Sequence, residues 1–292
     1  MRALYIVNER AGTRRRHPVA DLIHLASPFA GEVVACHCRQ ELDGLVDDAV
    51  RQGLDVVYAV GGDGTVHEIA RRLVGRGPAL GIVPAGSGNG LARHIGLPPE
   101  PEAALRACRL GRITTVDMGV VNGHPFLGVM GVGLDAAIAG RFASSSVRGL
   151  QTYVLAGLRA FAGCRAAEYD VLADEQSLRL RALVLAVANA SQYGSNARVA
   201  PLASLQDGLL DVVVIDDVGV IGAALLLRRL FDGTLHRARR VTTLQAEEVE
   251  IRRPGAGPAH LDGEPATLPD ALHVHVQPRS LRLLVPDATV RL

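Results

Sequence analysis

The 292-residue sequence contains no lysine and no tryptophan, so all 31 of its basic residues are arginine. Lysine-dependent mechanisms are therefore excluded, and the G-x-x-x-x-G-K-[ST] phosphate loop cannot be built. Aromatic residues make up 3% of the chain against 48% hydrophobic residues, which leaves the core to Val, Leu, Ile and Ala. A net charge of only +1 argues against a protein that grips nucleic acid along its phosphates, and no nucleic-acid partner is expected. Four cysteines, Cys36, Cys38, Cys108 and Cys164, are too few for a disulfide framework. The Cys36-His37-Cys38 cluster has no second ligand pair, so these thiols read as small buried or strand-edge groups. His37, His67, His94 and His124 show no zinc spacing and read as surface or packing residues. No apolar run approaches the ~18 residues of a membrane span; the longest, 220–231, is broken by Arg228 and Arg229. The N-terminus reads as a strand entering a turn, too short for a signal peptide. A soluble, cytoplasmic chain is the expectation.

What is present is a change of rhythm. Up to about residue 115, apolar runs at 3–8, 31–37, 55–60 and 79–85 alternate with helical spacing at 42–53, 66–75, from Leu91, and at 100–111. On 42–53 the apolar side is Leu42, Leu45 and Ala49. This β-α-β-α order predicts a mainly parallel sheet covered by helices. Beyond it, β-like runs at 181–190, 208–217, 247–253, 271–278 and 281–286 are separated by Gly, Asn and Pro turns, with helical stretches at 148–163 and 220–236. The fold class expected is α/β for the N-terminal part, with a largely antiparallel β domain following.

The stretch YAVGGDGTVHEIARRL (58–73) sets Gly61, Gly62, Asp63 and Gly64 where a strand turns into a helix. Thr65 and Glu68 stand three apart and predict a capping box. A glycine loop feeding a helix N-terminus suits phosphate, because free N–H groups and the helix dipole face the anion. It does not match G-x-G-x-x-G, and a carboxylate inside the loop points to Mg²⁺ between Asp63 and phosphates; a plain tight turn is the other reading. A second small-residue loop, PAGSGNGLAR (84–93), follows the next strand. The two loops then share the carboxyl ends of neighbouring parallel strands, where ligands bind in open α/β sheets. Ser87 and Asn89 can hydrogen-bond phosphate or ribose oxygens, and Arg93 can supply charge.

GGDGTVHE with PAGSGNGLAR resembles the catalytic domain shared by diacylglycerol kinases, sphingosine and ceramide kinases and bacterial soluble lipid kinases. The resemblance extends along the chain through NERAG (8–12), VDMG (116–119), GVMGVGLDA (128–136), APLASLQDGLLDVVVI (200–215) and HLDGEP (260–265). It implies ATP-dependent phosphorylation of a lipid hydroxyl such as that of diacylglycerol or a sphingoid base. It also implies a nucleotide-binding parallel-sheet domain over 1–118, joined by 283–292, and a β-sandwich lipid-substrate domain over 119–282, with the active cleft between them. Asn8, Gly12, Gly61, Gly62, Asp63, Gly64, Thr65, Glu68, Gly86, Ser87, Gly88 and Asn89 are the residues it implies for ATP. Glu264 and Asp262 fall where the family's catalytic base lies, Glu264 favoured and Asp262 positioning it. A structural Mg²⁺ maps to Asp207 with the carbonyls of Ser204 and Leu209, while Asp207-Gly208 and Asp262-Gly263 also read as ordinary turns.

The chain departs from the family at Ser87 and Gly90, where a threonine and an aspartate are usual, and at Glu9, where a proline is. Gly90 removes a carboxylate that could join the metal network. The competing readings are an NAD kinase, which shares G-G-D-G-T and the two-domain plan, and a catalytically silent nucleotide or lipid sensor. Arginines at 14–16, 228–229, 237 and 239–240 are either solvated faces or contacts to anionic lipid headgroups, with helix 220–231 offering an apolar face to the membrane surface. A homodimer is left open.

Overall fold

The computed structural model describes residues 1–8, 29–143, 161, 163–287 and 292. Gly12, Arg14–Arg16 and nearly all of the helix expected at 148–163 lie outside the described residues. The chain divides into two compact units, Met1–Asp117 with Pro278–Leu292, and Met118–Gln277.

The first unit contains β1 (Arg2–Asn8), β2 (Ala30–Cys36), α1 (Arg39–Arg51), β3 (Val56–Gly61), α2 (Asp63–Leu73), β4 (Ala79–Pro84), α3 (Gly90–His94) and α4 (Pro101–Arg109). Its strands run parallel in the order β2-β1-β3-β4. Every residue of β3 and β4 is buried, which is why both read as unbroken apolar runs: a parallel strand with helices on both faces has no wet side. Tyr5 stacks on Tyr58 at 4.4 Å. Tyr58 in turn lies opposite Gly81, where a methyl would come within 2.5 Å of the ring. Helix α1 buries Leu42, Val46 and Ala49, so the stripe follows the i, i+4, i+7 rule through Val46 rather than Leu45.

β5 (Arg112–Val121) and β15 (Ala271–Val285) contribute residues to both units. The far end of β15 joins the first unit's sheet, Leu283 pairing parallel with Leu80.

The second unit holds β6 (His124–Phe126), β7 (Val129–Gly133), α5 (Leu134–Ala143), β8 (Ala167–Ala173), β9 (Gln176–Ala188), β10 (Leu210–Asp216) and α6 (Val220–Asp232). A 3₁₀ turn (Leu235–Arg237), β11 (Val241–Ala246), β12 (Glu248–Arg252), β13 (Gly257–Leu261) and β14 (Glu264–Leu268) complete it. Its pairings are antiparallel, including β13 with β14 and β7, β9 with β7, β8 and β10, and β12 with β8 and β15. β8 alternates buried and exposed side chains, the period-2 signature of a sheet with one wet face. A core of Val, Leu and Ala around Phe126 and Met130 fills the interior. No helix among the described residues is long and apolar enough to cross a membrane.

Candidate active site

The chain leaves β3 at Gly61 and enters α2 at once. Gly62 is the N-cap, with its carbonyl accepting the N–H groups of Thr65 and Val66 at 3.0 and 3.1 Å, and no side chain caps the helix. The expected Thr65–Glu68 capping box is therefore absent. The helix starts three residues earlier than a Thr65 cap would allow, and Thr65 is a buried residue of its first turn. Its hydroxyl instead accepts a hydrogen bond from Asn8 Nδ2 at 3.0 Å, tying the end of β1 to the glycine loop. Glu68 is drawn into ion pairs with Arg39 (2.9 Å) and Arg71 (2.5 Å).

Asp63, first residue of α2, faces the second loop. Its Oδ2 accepts the Asn89 N–H at 2.8 Å and its Oδ1 the Gly90 N–H at 2.6 Å. Asn89 sits at φ 52, a left-handed conformation that asparagine tolerates better than most residues. Its side chain closes its own loop by accepting Gly86 N–H and donating to Gly86 O, at 3.1 and 2.9 Å. The loops touch through bare backbone, since a methyl on Gly86 would lie 2.5 Å from Gly62 Cα. Arg93 Nε donates to Gly88 O at 3.1 Å, while Ser87 is exposed. Two small-residue turns at the carboxyl ends of adjacent parallel strands are thus stapled together, each opening a helix N-terminus. A groove of about 540 Å³ elsewhere in this unit, lined by Arg2, Gly31, Leu45 and Gln52 among others, contains none of these loop residues.

In the second unit, Asp262 and Gly263 join β13 to β14 with φ 52 and 84, the paired positive values of a type I′ hairpin. Asp262 N–H reaches Val129 O at 2.9 Å. Its carboxylate accepts three further backbone N–H groups, Leu127 at 2.8, Gly128 at 2.6 and Val129 at 3.0 Å. Glu264 is exposed, and its side chain has no ion pair or hydrogen bond among the described residues.

Behind this turn lies a buried polar cluster that the sequence reading did not single out. His260 Nδ1 accepts the Gly263 N–H at 3.2 Å, and its Nε2 lies 2.8 Å from Asp135 Oδ2, a charge contact with the ring N–H off the line. Tyr193 donates its hydroxyl to the same Asp135 oxygen at 2.7 Å and sets its ring edge toward His260. Burial opposes charging the imidazole, yet the carboxylates of Asp135 and Asp262 outweigh it and raise the His260 pKa above its ordinary value. Gly131, opposite His260 in the strand pair, leaves the space: a methyl there would come 2.7 Å from His260 Nε2 and collide with Asp135. The only available sequence signal was positional, a histidine at an inward place in a strand facing a glycine.

Asp207 is exposed and its Oδ1 accepts the Leu209 N–H at 3.1 Å, while Ser204 Oγ accepts Gln206 N–H at 3.2 Å. Asp211 nearby is buried, and burial together with the Asp207 charge pushes its carboxyl up to about 6. Among the described residues no group of three or more His, Cys, Asp or Glu side chains is arranged to hold a metal.

Comparison with known proteins matches residues 2–121 to the diacylglycerol kinase catalytic domain and residues 128–285 to the YegS C-terminal NAD kinase beta sandwich-like domain. A protein named "Probable lipid kinase YegS-like" from Pseudomonas aeruginosa (strain UCBPP-PA14) is 34% identical, covering 83% of each chain. A protein named diacylglycerol kinase from Mycobacterium tuberculosis (strain H37Rv) is 29% identical over 94% of this chain and 98% of its own. The crystal structure of a diacylglycerol kinase from Bacillus anthracis superposes with a TM-score of 0.77 at 19% identity, covering 99% of this chain and 98% of that one, a likeness of fold.

Proposed function

The chain belongs to the diacylglycerol kinase catalytic-domain family, and from that premise we propose that it is an ATP-dependent lipid kinase, transferring the γ-phosphoryl group to a lipid hydroxyl. The observation that carries this reading is the stapled pair of glycine loops at Gly61–Thr65 and Gly86–Asn89. Phosphoryl transfer asks for positioning and charge stabilisation rather than covalent chemistry, and backbone N–H groups at helix N-termini supply both without lysine. Asn8 and Thr65 brace the first loop, and Asn89 and Arg93 shape the second.

Glu264 is the proposed base. As the lipid hydroxyl oxygen attacks the γ-phosphorus, the exposed carboxylate takes the hydroxyl proton and the bond to the ADP oxygen breaks. Asp262 fixes the turn that presents Glu264. Mg²⁺, when bound, neutralises phosphate charge. Asp63 would hold it at the loops, and Asp207 with the Ser204 and Leu209 carbonyls would hold a second, structural ion. The oxygen-only donor set suits that metal, and a cation there would offset the Asp207 charge that, after burial, raises the nearby Asp211.

The lipid is reached at the membrane surface by an otherwise cytoplasmic chain. Helix α6 turns Leu226 and Leu230 to the core and leaves Val220, Ile221 and Leu225 exposed beside Arg228. An apolar face ending in arginine suits an anionic interface. The test is phosphate transfer from labelled ATP to diacylglycerol, monoacylglycerol, phosphatidylglycerol and sphingoid bases in mixed vesicles, with NAD as a control acceptor. A phosphorylated lipid is expected; phosphorylation of NAD alone would overturn the reading.

A further inference from the structure

His260 has no part in the reaction just described, although among the described residues it is the most deeply buried titratable group of the second unit. Histidine's ordinary place is a partly wet surface, and a fully buried imidazole between carboxylates is costly unless each nitrogen has a defined partner. Here both have one. Nδ1 takes the N–H of Gly263, the residue between Asp262 and Glu264, and Nε2 faces Asp135, whose oxygen is fixed in turn by the Tyr193 hydroxyl.

We propose that His260 is a positioning residue for the Asp262–Gly263–Glu264 turn: its neutral ring accepts the Gly263 N–H at Nδ1, Asp135 holds the proton on Nε2, and turnover requires this tautomer. The proposal rests on the kinase reading for its effect on turnover, and on geometry alone for the tautomer. The turn has two residues at positive φ, so its shape is specified by few hydrogen bonds, and Gly263 has no side chain to anchor it. Asp262 pins one side of the turn to residues 127–129, and His260 pins the other. A proton placed on Nδ1 would set N–H against N–H, break the contact and loosen the residue before Glu264. The charged and titratable groups facing the ring are Asp135 from α5, Asp262 from the turn and Tyr193 from the segment after β9; β7 offers only Gly131. Both carboxylates favour the protonated ring, which places the transition above histidine's usual range, where ordinary changes of pH reach it.

Two isosteres separate the nitrogens. In His260→Asn the amide oxygen sits near the Nδ1 position and still accepts from Gly263. His260→Gln reaches toward the Nε2 position and leaves Gly263 without its acceptor. Per folded molecule, the Asn variant is expected within about tenfold of wild-type kcat and the Gln variant about a hundredfold below it, with KM for ATP unchanged in both. Equal turnover by the two would overturn the proposal. The pH profile gives a readout that mere structural support would not move. Tyr193→Phe leaves more charge on Asp135, so the acid limb of kcat is expected to rise by about half to one pH unit; an unmoved limb counts against His260. ¹⁵N spectroscopy of the purified full chain reads the tautomer without activity, with Nδ1 unprotonated and Nε2 protonated above the transition. The opposite tautomer refutes the proposal whatever the turnover. A wild-type chain that shows this tautomer, and a Gly263 amide shift altered in the Gln but not the Asn variant, while phosphorylating no lipid, would sink the kinase reading and leave the His260 geometry standing.

Discussion

Asp63 and Asp262 stand in similar local sequence, each followed by glycine at a turn, and each could pass for a free carboxylate waiting for a ligand. Neither is free. Asp63 holds two backbone N–H groups from a loop 26 and 27 residues away, whereas Asp262 holds three from a segment 133 to 135 residues earlier. The first staple joins neighbouring βα turns in a parallel sheet. The second closes a long excursion of antiparallel chain onto a two-residue hairpin. A carboxylate amid glycines is thus as much a solution to orphan backbone donors as a ligand, because bare loops expose N–H groups that need an acceptor. In the second unit the neighbouring Glu264, proposed above as the base, has no such commitment among the described residues.

The largest effect expected from this contrast is on Glu264. Glu264→Gln should lower kcat by about 10²–10⁴-fold, with the thermal midpoint and KM for ATP unchanged; a fully active variant would return the chemistry to Asp262. Asp262→Asn should act through the fold instead. An amide turns its NH₂ toward N–H groups that need an acceptor, at about 3 kcal/mol of stability, measured by denaturant titration. Retained stability with lost turnover would show that Asp262 is more than a staple.

Acid sharpens the contrast between units through their histidines. Burial depresses His94 in the first unit to about 4, so the unfolded chain binds more protons between pH 4 and 6.5 and stability falls as pH drops through that window, by about 3 kcal/mol in all. His260 in the second unit is shifted the other way, and its contribution is present at low pH and lost as pH rises through its folded pKa. Hydrogen exchange resolved by unit should show opposite slopes, and His94→Leu should abolish only the first. The smallest effect on stability is expected for Asp63→Asn, about 2 kcal/mol, since only two donors lose their acceptor. If its loss equals that of Asp262→Asn, the number of N–H groups held is not what distinguishes the two sites.

Legibility followed the same physics. β3 and β4 were readable because burial on both faces demands unbroken apolar runs. Helix α5 was not, since Leu134–Ala143 follows a glycine-rich strand and carries Gly140 within it. The start of α2 was misplaced because Thr65-x-x-Glu68 has a cap's spacing, while the true cap is the backbone of Gly62 and Glu68 is engaged by arginines. Motif residues could be picked out singly, but their partners could not: Asp63 to Asn89, Asn8 to Thr65, and Asp262 to 127–129 are pairings that only the folded backbone supplies. His260 carried only its inward place in a strand opposite Gly131.

The pairing of Leu283 with Leu80 sets an order of events during synthesis. β4 leaves the ribosome roughly two hundred residues before the strand that covers its outer edge. At about 5–20 residues per second, that edge waits on the order of 10–40 s with its N–H and C=O groups exposed. The parallel sheet is therefore among the first parts of the chain to be made and among the last to be finished. During that interval a chaperone, or a second nascent chain, can occupy the place that β15 will take.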